Sequence, residues 1–147
     1  MATSLPPSLS RPSRPRPASD RKIDFGIVTI REDENIAVLR RFGNVDLDVQ
    51  RRRYRILRLA LPGGDAYTVA VVRCAEQGNT EAQATARDLL DDLAPRFILV
   101  VGIAIRGISD VVGYRRHPDW TAYACETAAA FTRGFLLTRP TRPIAAP

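Results

Sequence analysis

The chain has 147 residues, enough for one folded domain, and its 45% hydrophobic and 26% charged residues are ordinary for a globular protein in water. No apolar run approaches the roughly 18–20 residues needed to cross a bilayer, which excludes a membrane-spanning class and leads us to expect a cytoplasmic protein. The net charge of +6 lies mostly in residues 1–22, which hold five basic residues and one acidic residue, so no basic folded face for nucleic acid is required.

Composition divides the chain into three parts. Residues 1–22 are rich in Pro, Ser and Arg and poor in large apolar residues, and residues 140–147 are similar. Such segments bury too little surface to offset the entropy lost on ordering, so we expect two disordered tails. Residues 23–139 are expected to form the folded domain.

Seven elements are predicted in chain order from the spacing of apolar residues and from start and stop signals. They are strand Asp24–Ile30, helix Glu32–Phe42, strands Tyr54–Leu61 and Tyr67–Cys74, helix Thr80–Leu93, strand Phe97–Ala104 and helix Trp120–Leu137. The run from 97 to 104 is the most apolar and is predicted to be the central strand. Alternating strands and amphipathic helices indicate an α/β fold, a three-layer sandwich with a mixed central sheet.

Capping signals and aromatic residues add detail to the helices. Thr80 and Gln83 have the spacing of a capping box, and Asp119 is the predicted N-cap of the last helix. Trp120 and Tyr123 are predicted to pack that helix against the sheet.

Metal and cofactor chemistry has little support in the sequence. Cys74 and Cys125 lack CxxC spacing and His117 is the only histidine, so two buried free thiols are favoured over a metal site. Nothing resembles a P-loop or a GxGxxG fingerprint. We expect no metal and no cofactor.

Three polar stretches follow predicted strands, where sites in open α/β sheets lie. Glu34 ends an acidic run after the first strand, Gly78 and Asn79 form a glycine turn before a helix, and Ser109 and Asp110 follow the apolar run. Two carboxylates and an anion-binding helix start are suited to acid/base work on a small polar substrate. Each stretch also has a structural interpretation. The acidic run can stabilise the helix dipole, the glycine turn can be a tight turn, and Ser109 and Asp110 can cap a loop.

Three segments carry a resemblance to a known family. They are DFGIVTIREDENIAVLRRF from Asp24, VVRCAEQGNTEAQATARDLLDDLAPRFILVVGIA from Val71, and IRGISDVVGYRRHPDWTAYACETAAAFTRGFLLTRP from Ile105. These resemble the opening strand and helix, the glycine turn, helix and central strand, and the final strand and C-terminal helix of the nucleoside phosphorylase/nucleosidase superfamily. That group includes methylthioadenosine/S-adenosylhomocysteine nucleosidases and purine nucleoside phosphorylases.

The resemblance implies cleavage of the N-glycosidic bond of a purine nucleoside or nucleotide, without a cofactor. By position, Glu34 matches the carboxylate that orients the attacking water, and Asp110 matches the acid that protonates the departing base. Ser109 would hold the base edge, and Gly78 and Asn79 would lie near the ribose or phosphate. Family members are often homo-oligomers, which makes a second copy of the chain an expected partner.

The chain departs from the family pattern in its middle. The family's central strand continues as GIAGG into a long section with a Met-Glu motif that grips the ribose hydroxyls. Here Gly102–Ala104 runs directly into IRGISD, and Met1 is the only methionine. Because sugar contacts align the bond for cleavage, their loss predicts weak or absent activity.

Three functional hypotheses follow from these observations. The first is a nucleosidase-type enzyme that uses Asp110 and Glu34. The second is a catalytically silent module that binds a nucleotide or a partner protein and has a regulatory role. The third, ranked last, is nucleic-acid binding through the Arg-rich residues 1–22, which would give salt-dependent affinity.

Overall fold

The computed structural model describes residues 22–43, 46–102 and 118–144, and it confirms the α/β class with a mixed five-stranded sheet. In chain order the elements are β1 (Phe25–Thr29), α1 (Glu32–Phe42), β2 (Asp46–Val49), β3 (Arg53–Ala60), β4 (Ala66–Arg73), α2 (Asn79–Leu93), β5 (Phe97–Val101) and α3 (Pro118–Leu137). The strands lie in the order β2-β3-β4-β1-β5. β1 is parallel to β4 and β5, whereas β2, β3 and β4 are joined in antiparallel fashion.

The helices cover both faces of the sheet and make three layers. One cluster of buried residues joins α1 and α3 to the sheet and includes Ile27, Val38 and Ala128. The second cluster lies on the opposite face and includes Val28 and Leu89 of α2. Neighbouring residues of β1 therefore point into different cores, which explains why the whole strand is apolar.

The apolar run from residue 97 is not the central strand of the described sheet. β5 lies at the edge, and β1 occupies the place between β4 and β5. The run is apolar because helices lie over both of its faces, a property that says nothing about its lateral position. β2 was not predicted, because it is short and its Leu47 and Val49 are exposed rather than buried.

Two helix starts also differ from the predicted ones. α2 begins at Asn79 with Gly78 as its N-cap, and no side-chain hydrogen bond caps it, so the predicted Thr80–Gln83 capping box does not form. α3 begins one residue before Asp119, which lies in its first turn.

The aromatic residues at the start of α3 do not pack against the sheet. Trp120 and Tyr123 are 62% and 64% exposed. The helix instead packs through small residues such as Ala124, Ala128 and Ala129. Small side chains let α3 lie close to α1, and the bulky aromatic side chains are left outside that contact.

Charged and phenolic groups connect β3 to α2. Arg52 donates to Asp88 at 2.6 Å and to Glu81 at 2.7 Å. The hydroxyl of the fully buried Tyr54 donates to Asp92 at 2.8 Å. Burial, followed by this hydrogen bond, raises the pKa of Tyr54, so the phenol stays protonated under ordinary conditions.

The segment after α3 lies against the amino-terminal side of the sheet. Asp24 is 1% exposed; its Oδ2 accepts from the N–H of Thr68 at 2.8 Å and its Oδ1 from the N–H of Ile144 at 2.6 Å. The hydroxyl of Tyr67 donates to the carbonyl oxygen of Thr141. One buried carboxylate thus joins β1, β4 and the segment that follows α3.

We expect Asp24→Asn to destabilise the protein by about 1–3 kcal/mol, because the amide presents an N–H group to one of two buried backbone donors. Asp46→Asn on the exposed end of β2 is the control and should change stability by no more than about 0.5 kcal/mol. Urea unfolding of both variants measures the difference. Equal midpoints would contradict a structural role for the Asp24 carboxylate.

Candidate functional site

The carboxyl ends of β4, β1 and β5 meet at one edge of the sheet. Thr29 is in register with Arg73 of β4 and with Val101 of β5. The N–H of Cys74 donates to the carbonyl oxygen of Thr29 at 2.9 Å, which extends the β4–β1 pairing by one residue. The loops that follow the three strands therefore start side by side, as in the binding crevices of open α/β sheets.

Glu34 lies at the end of β1, in the first turn of α1. Its Oε2 accepts hydrogen bonds from the backbone N–H groups of Ile30 at 3.0 Å and Arg31 at 2.9 Å. These contacts cap the helix and hold the half-buried carboxylate in one orientation. Within the described parts of the chain, its Oε1 accepts no hydrogen bond.

The absence of a side chain at Gly102 leaves room for the Glu34 carboxylate beside the end of β5. A Cβ atom at residue 102 would lie 2.3 Å from Oε1 of Glu34 and 2.5 Å from Oε2. The φ angle of Gly102 is +103°, a conformation that side-chain-bearing residues rarely adopt. The carboxylate therefore lies directly against the backbone that follows β5, and glycine is required there for two independent reasons.

Thr29 and Asn35 complete the polar part of this crevice. The hydroxyl of the buried Thr29 donates to the carbonyl oxygen of Val72 at 3.3 Å, and Nδ2 of Asn35 donates to the Thr29 hydroxyl at 3.1 Å. Sequence reasoning did not select either residue. The sequence feature that could have identified them is a threonine at the end of an apolar strand, followed by an asparagine in the first turn of α1.

The three acidic residues of α1 have different roles. Asp33 forms a two-point ion pair with Arg31, at 2.9 and 2.6 Å, and Glu32 is exposed. Burial acts to raise the pKa of Asp33, but the hydrogen bonds and charge of Arg31 outweigh it and hold that pKa below its ordinary value. The charge of Asp33 is therefore compensated by Arg31. Among the described residues, Glu34 accepts hydrogen bonds from backbone amides alone.

Gly78 and Asn79 lie at the start of α2, beyond the end of β4. Both are exposed, and Gly78 has a φ angle of +136°. No side chain of the described residues caps this helix start. These two residues and Glu34 thus follow adjacent parallel strands, and no described contact joins the two groups.

Cys74 lies at the same edge but is not suited to act as a nucleophile. Its thiol is buried and free, and burial raises its pKa, opposed by a hydrogen bond with Thr85. A thiol with a raised pKa is protonated near neutral pH and reacts slowly.

Ser109 and Asp110 lie outside the described residues, as does His117. The carboxylate pair predicted from sequence is therefore represented in the structure by Glu34. Within the described segments, no group of three or more His, Cys, Asp or Glu residues is placed to hold a metal ion. No helix of those segments is both long and apolar enough to cross a membrane.

Comparison of the chain with protein-family models, with curated proteins and with solved structures finds no match.

We expect Gly102→Ala to destabilise the protein by about 1–3 kcal/mol, because the methyl group requires a strained backbone and displaces the Glu34 carboxylate. Gly134→Ala is the control: its Cβ would meet open space in α3, and alanine is the better helix former by up to about 1 kcal/mol. Urea unfolding of both variants measures the effect. A Gly102→Ala protein as stable as the control would contradict the close approach of Glu34.

Proposed function

We propose that this chain is a nucleosidase-type domain that binds a purine nucleoside or nucleotide at the carboxyl ends of β1 and β5. The observation that carries the proposal is the Glu34 carboxylate, which two backbone amides hold in one orientation against Gly102. By sequence resemblance, residue 34 is the position whose carboxylate orients the attacking water molecule. The geometry supports that assignment because the carboxylate is positioned without being neutralised by an ion pair with a described residue.

The proposed reaction is hydrolysis. The oxygen of a water molecule attacks C1′ of the sugar, the N-glycosidic bond breaks, and its electron pair goes to the base nitrogen. Glu34 orients the water and accepts its proton, and Asp110 protonates the departing base. The transition state resembles an oxocarbenium ion, so an oriented water and an acid for the leaving group are the two chemical requirements.

The second candidate is a catalytically silent module that binds a nucleotide or a partner protein. One observation favours it: the Met-Glu ribose motif of the family is missing from the sequence. Such a module would keep the crevice and lose turnover, because ligand binding needs less exact alignment than bond cleavage.

The test is release of free base, followed by chromatography, from a panel of purine nucleosides and nucleotides with and without phosphate. We expect slow release by the unmodified protein, because the ribose-binding section is missing, and a further loss of roughly 10²–10⁴-fold in Glu34→Gln and in Asp110→Asn. Glu32→Gln is the matched control, since this exposed carboxylate lies in the same helical turn, and its rate should be unchanged.

Two outcomes would contradict the enzyme proposal. Equal rates for Glu34→Gln and Glu32→Gln would remove Glu34 from the chemistry. No release by a folded protein would reject catalysis, and equilibrium dialysis with the same nucleosides would then decide whether the silent module binds them.

A further inference from the structure

One face of the sheet is exposed where β2 pairs with the start of β3. On that side of the sheet α1 packs over β4 and β1, and α3 contacts β5, so both helices lie away from β2. Leu47 and Val49 of β2 are 51% and 60% exposed, and Arg53 and Arg55 of β3 are exposed beside them.

The strand register places these four side chains on the same face. Leu47 is opposite Arg55 and Val49 is opposite Arg53, and opposite residues of an antiparallel pair point to the same side. Leu57 follows Arg55 by two residues and lies in the buried cluster that contains α1 and α3, which fixes that side. We call Leu47, Val49, Arg53 and Arg55 the basic face.

The positive charge of the basic face is not compensated by described residues. Neither Arg53 nor Arg55 has an ion-pair or hydrogen-bond partner for its side chain within the described segments. The two acidic residues of β2 occupy the alternate positions of that strand and therefore point to the opposite face. Arg73 of β4 lies nearby on the same side, and Glu32 of α1 pairs with it at 3.9 Å, so this pair adds no net charge.

Two arginines beside two aliphatic side chains fit an extended acidic peptide. Residues two apart on a strand are separated by about 6.4–6.8 Å, so carboxylates at alternate positions of such a peptide match the spacing of Arg53 and Arg55. Arginine can bind a carboxylate through two parallel hydrogen bonds. Aliphatic side chains of the same peptide would remove the exposed surface of Leu47 and Val49 from water.

Two other occupants fit this face less well. Proteins that bind single-stranded nucleic acid stack its bases on exposed aromatic side chains, and β2, β3 and β4 expose none. A second copy of the chain would oppose arginine to arginine, because the charges of the basic face have one sign.

We infer that the basic face binds an extended acidic segment of a partner protein. Carboxylates of that segment pair with Arg53 and Arg55, and its aliphatic side chains cover Leu47 and Val49. The inference does not depend on nucleoside binding, since Glu34 lies between β1 and β5 and β4 separates these strands from β3.

The test is fluorescence anisotropy with a labelled peptide of about ten residues in which Glu and Leu alternate. The full chain should bind it, and Arg53→Glu/Arg55→Glu should weaken binding by roughly tenfold or more. A peptide that alternates Glu and Ser should bind more weakly than the first, because it cannot cover the aliphatic side chains.

The matched control is Arg58→Glu/Arg87→Glu, which has the same net charge. Both of these arginines are exposed; Arg58 lies on β3 but on its opposite face, and Arg87 lies on α2. The basic residues at 1–22 are present in both double variants, so any background binding by that segment cancels. The control should keep its affinity within about twofold at physiological salt.

Circular dichroism shows whether each variant folds, and Arg53→Gln/Arg55→Gln replaces the charge reversal should the latter fail. No binding by the full chain, or an equal loss in both double variants, would overturn the inference. Equal affinity for the two peptides would overturn it as well. Tighter binding of a uridine oligonucleotide, lost in Arg53→Glu/Arg55→Glu, would overturn it in favour of nucleic acid.

Discussion

The enclosure of β1 is the constraint on which the rest of this structure depends. All five of its residues are buried, β4 and β5 pair with both of its edges, and helices cover both of its faces. Such a strand has little place for charge along its length, so the polar groups gather where it ends. Thr29, Glu34 and Asn35 lie at that end, and the pairing with β5 brings Gly102 against Glu34.

The Glu34 carboxylate combines a structural and a proposed chemical role. A hydrogen bond from an amide to a charged oxygen contributes about 1.5–3 kcal/mol, and Glu34 accepts two. The same contacts fix the orientation of the group before any ligand arrives, which is what a site that stabilises developing charge requires. Helix capping and water orientation are therefore compatible in one residue, because they use different oxygens.

Local patterns were sufficient to predict most elements, because helical spacing and buried strands depend on neighbours in sequence. Glu34 was selected for the same reason: it directly follows an apolar strand. The features that were missed depend on contacts between distant residues. The edge position of β5, the exposure of Trp120, and the approach of Gly102 to Glu34 all follow from which strands and helices lie side by side.

The central claim is that a nucleoside binds beside Glu34, between the ends of β1 and β5. The most direct measurement is the change in backbone amide NMR shifts when a purine nucleoside is added to the ¹⁵N-labelled chain. The account predicts saturable shifts at Ile30, Arg31 and Gly102, since the first two amides donate to the Glu34 carboxylate and Gly102 lies against it. Shifts confined to other regions of the chain would contradict the account. The absence of any shift as the nucleoside concentration is raised would contradict it as well.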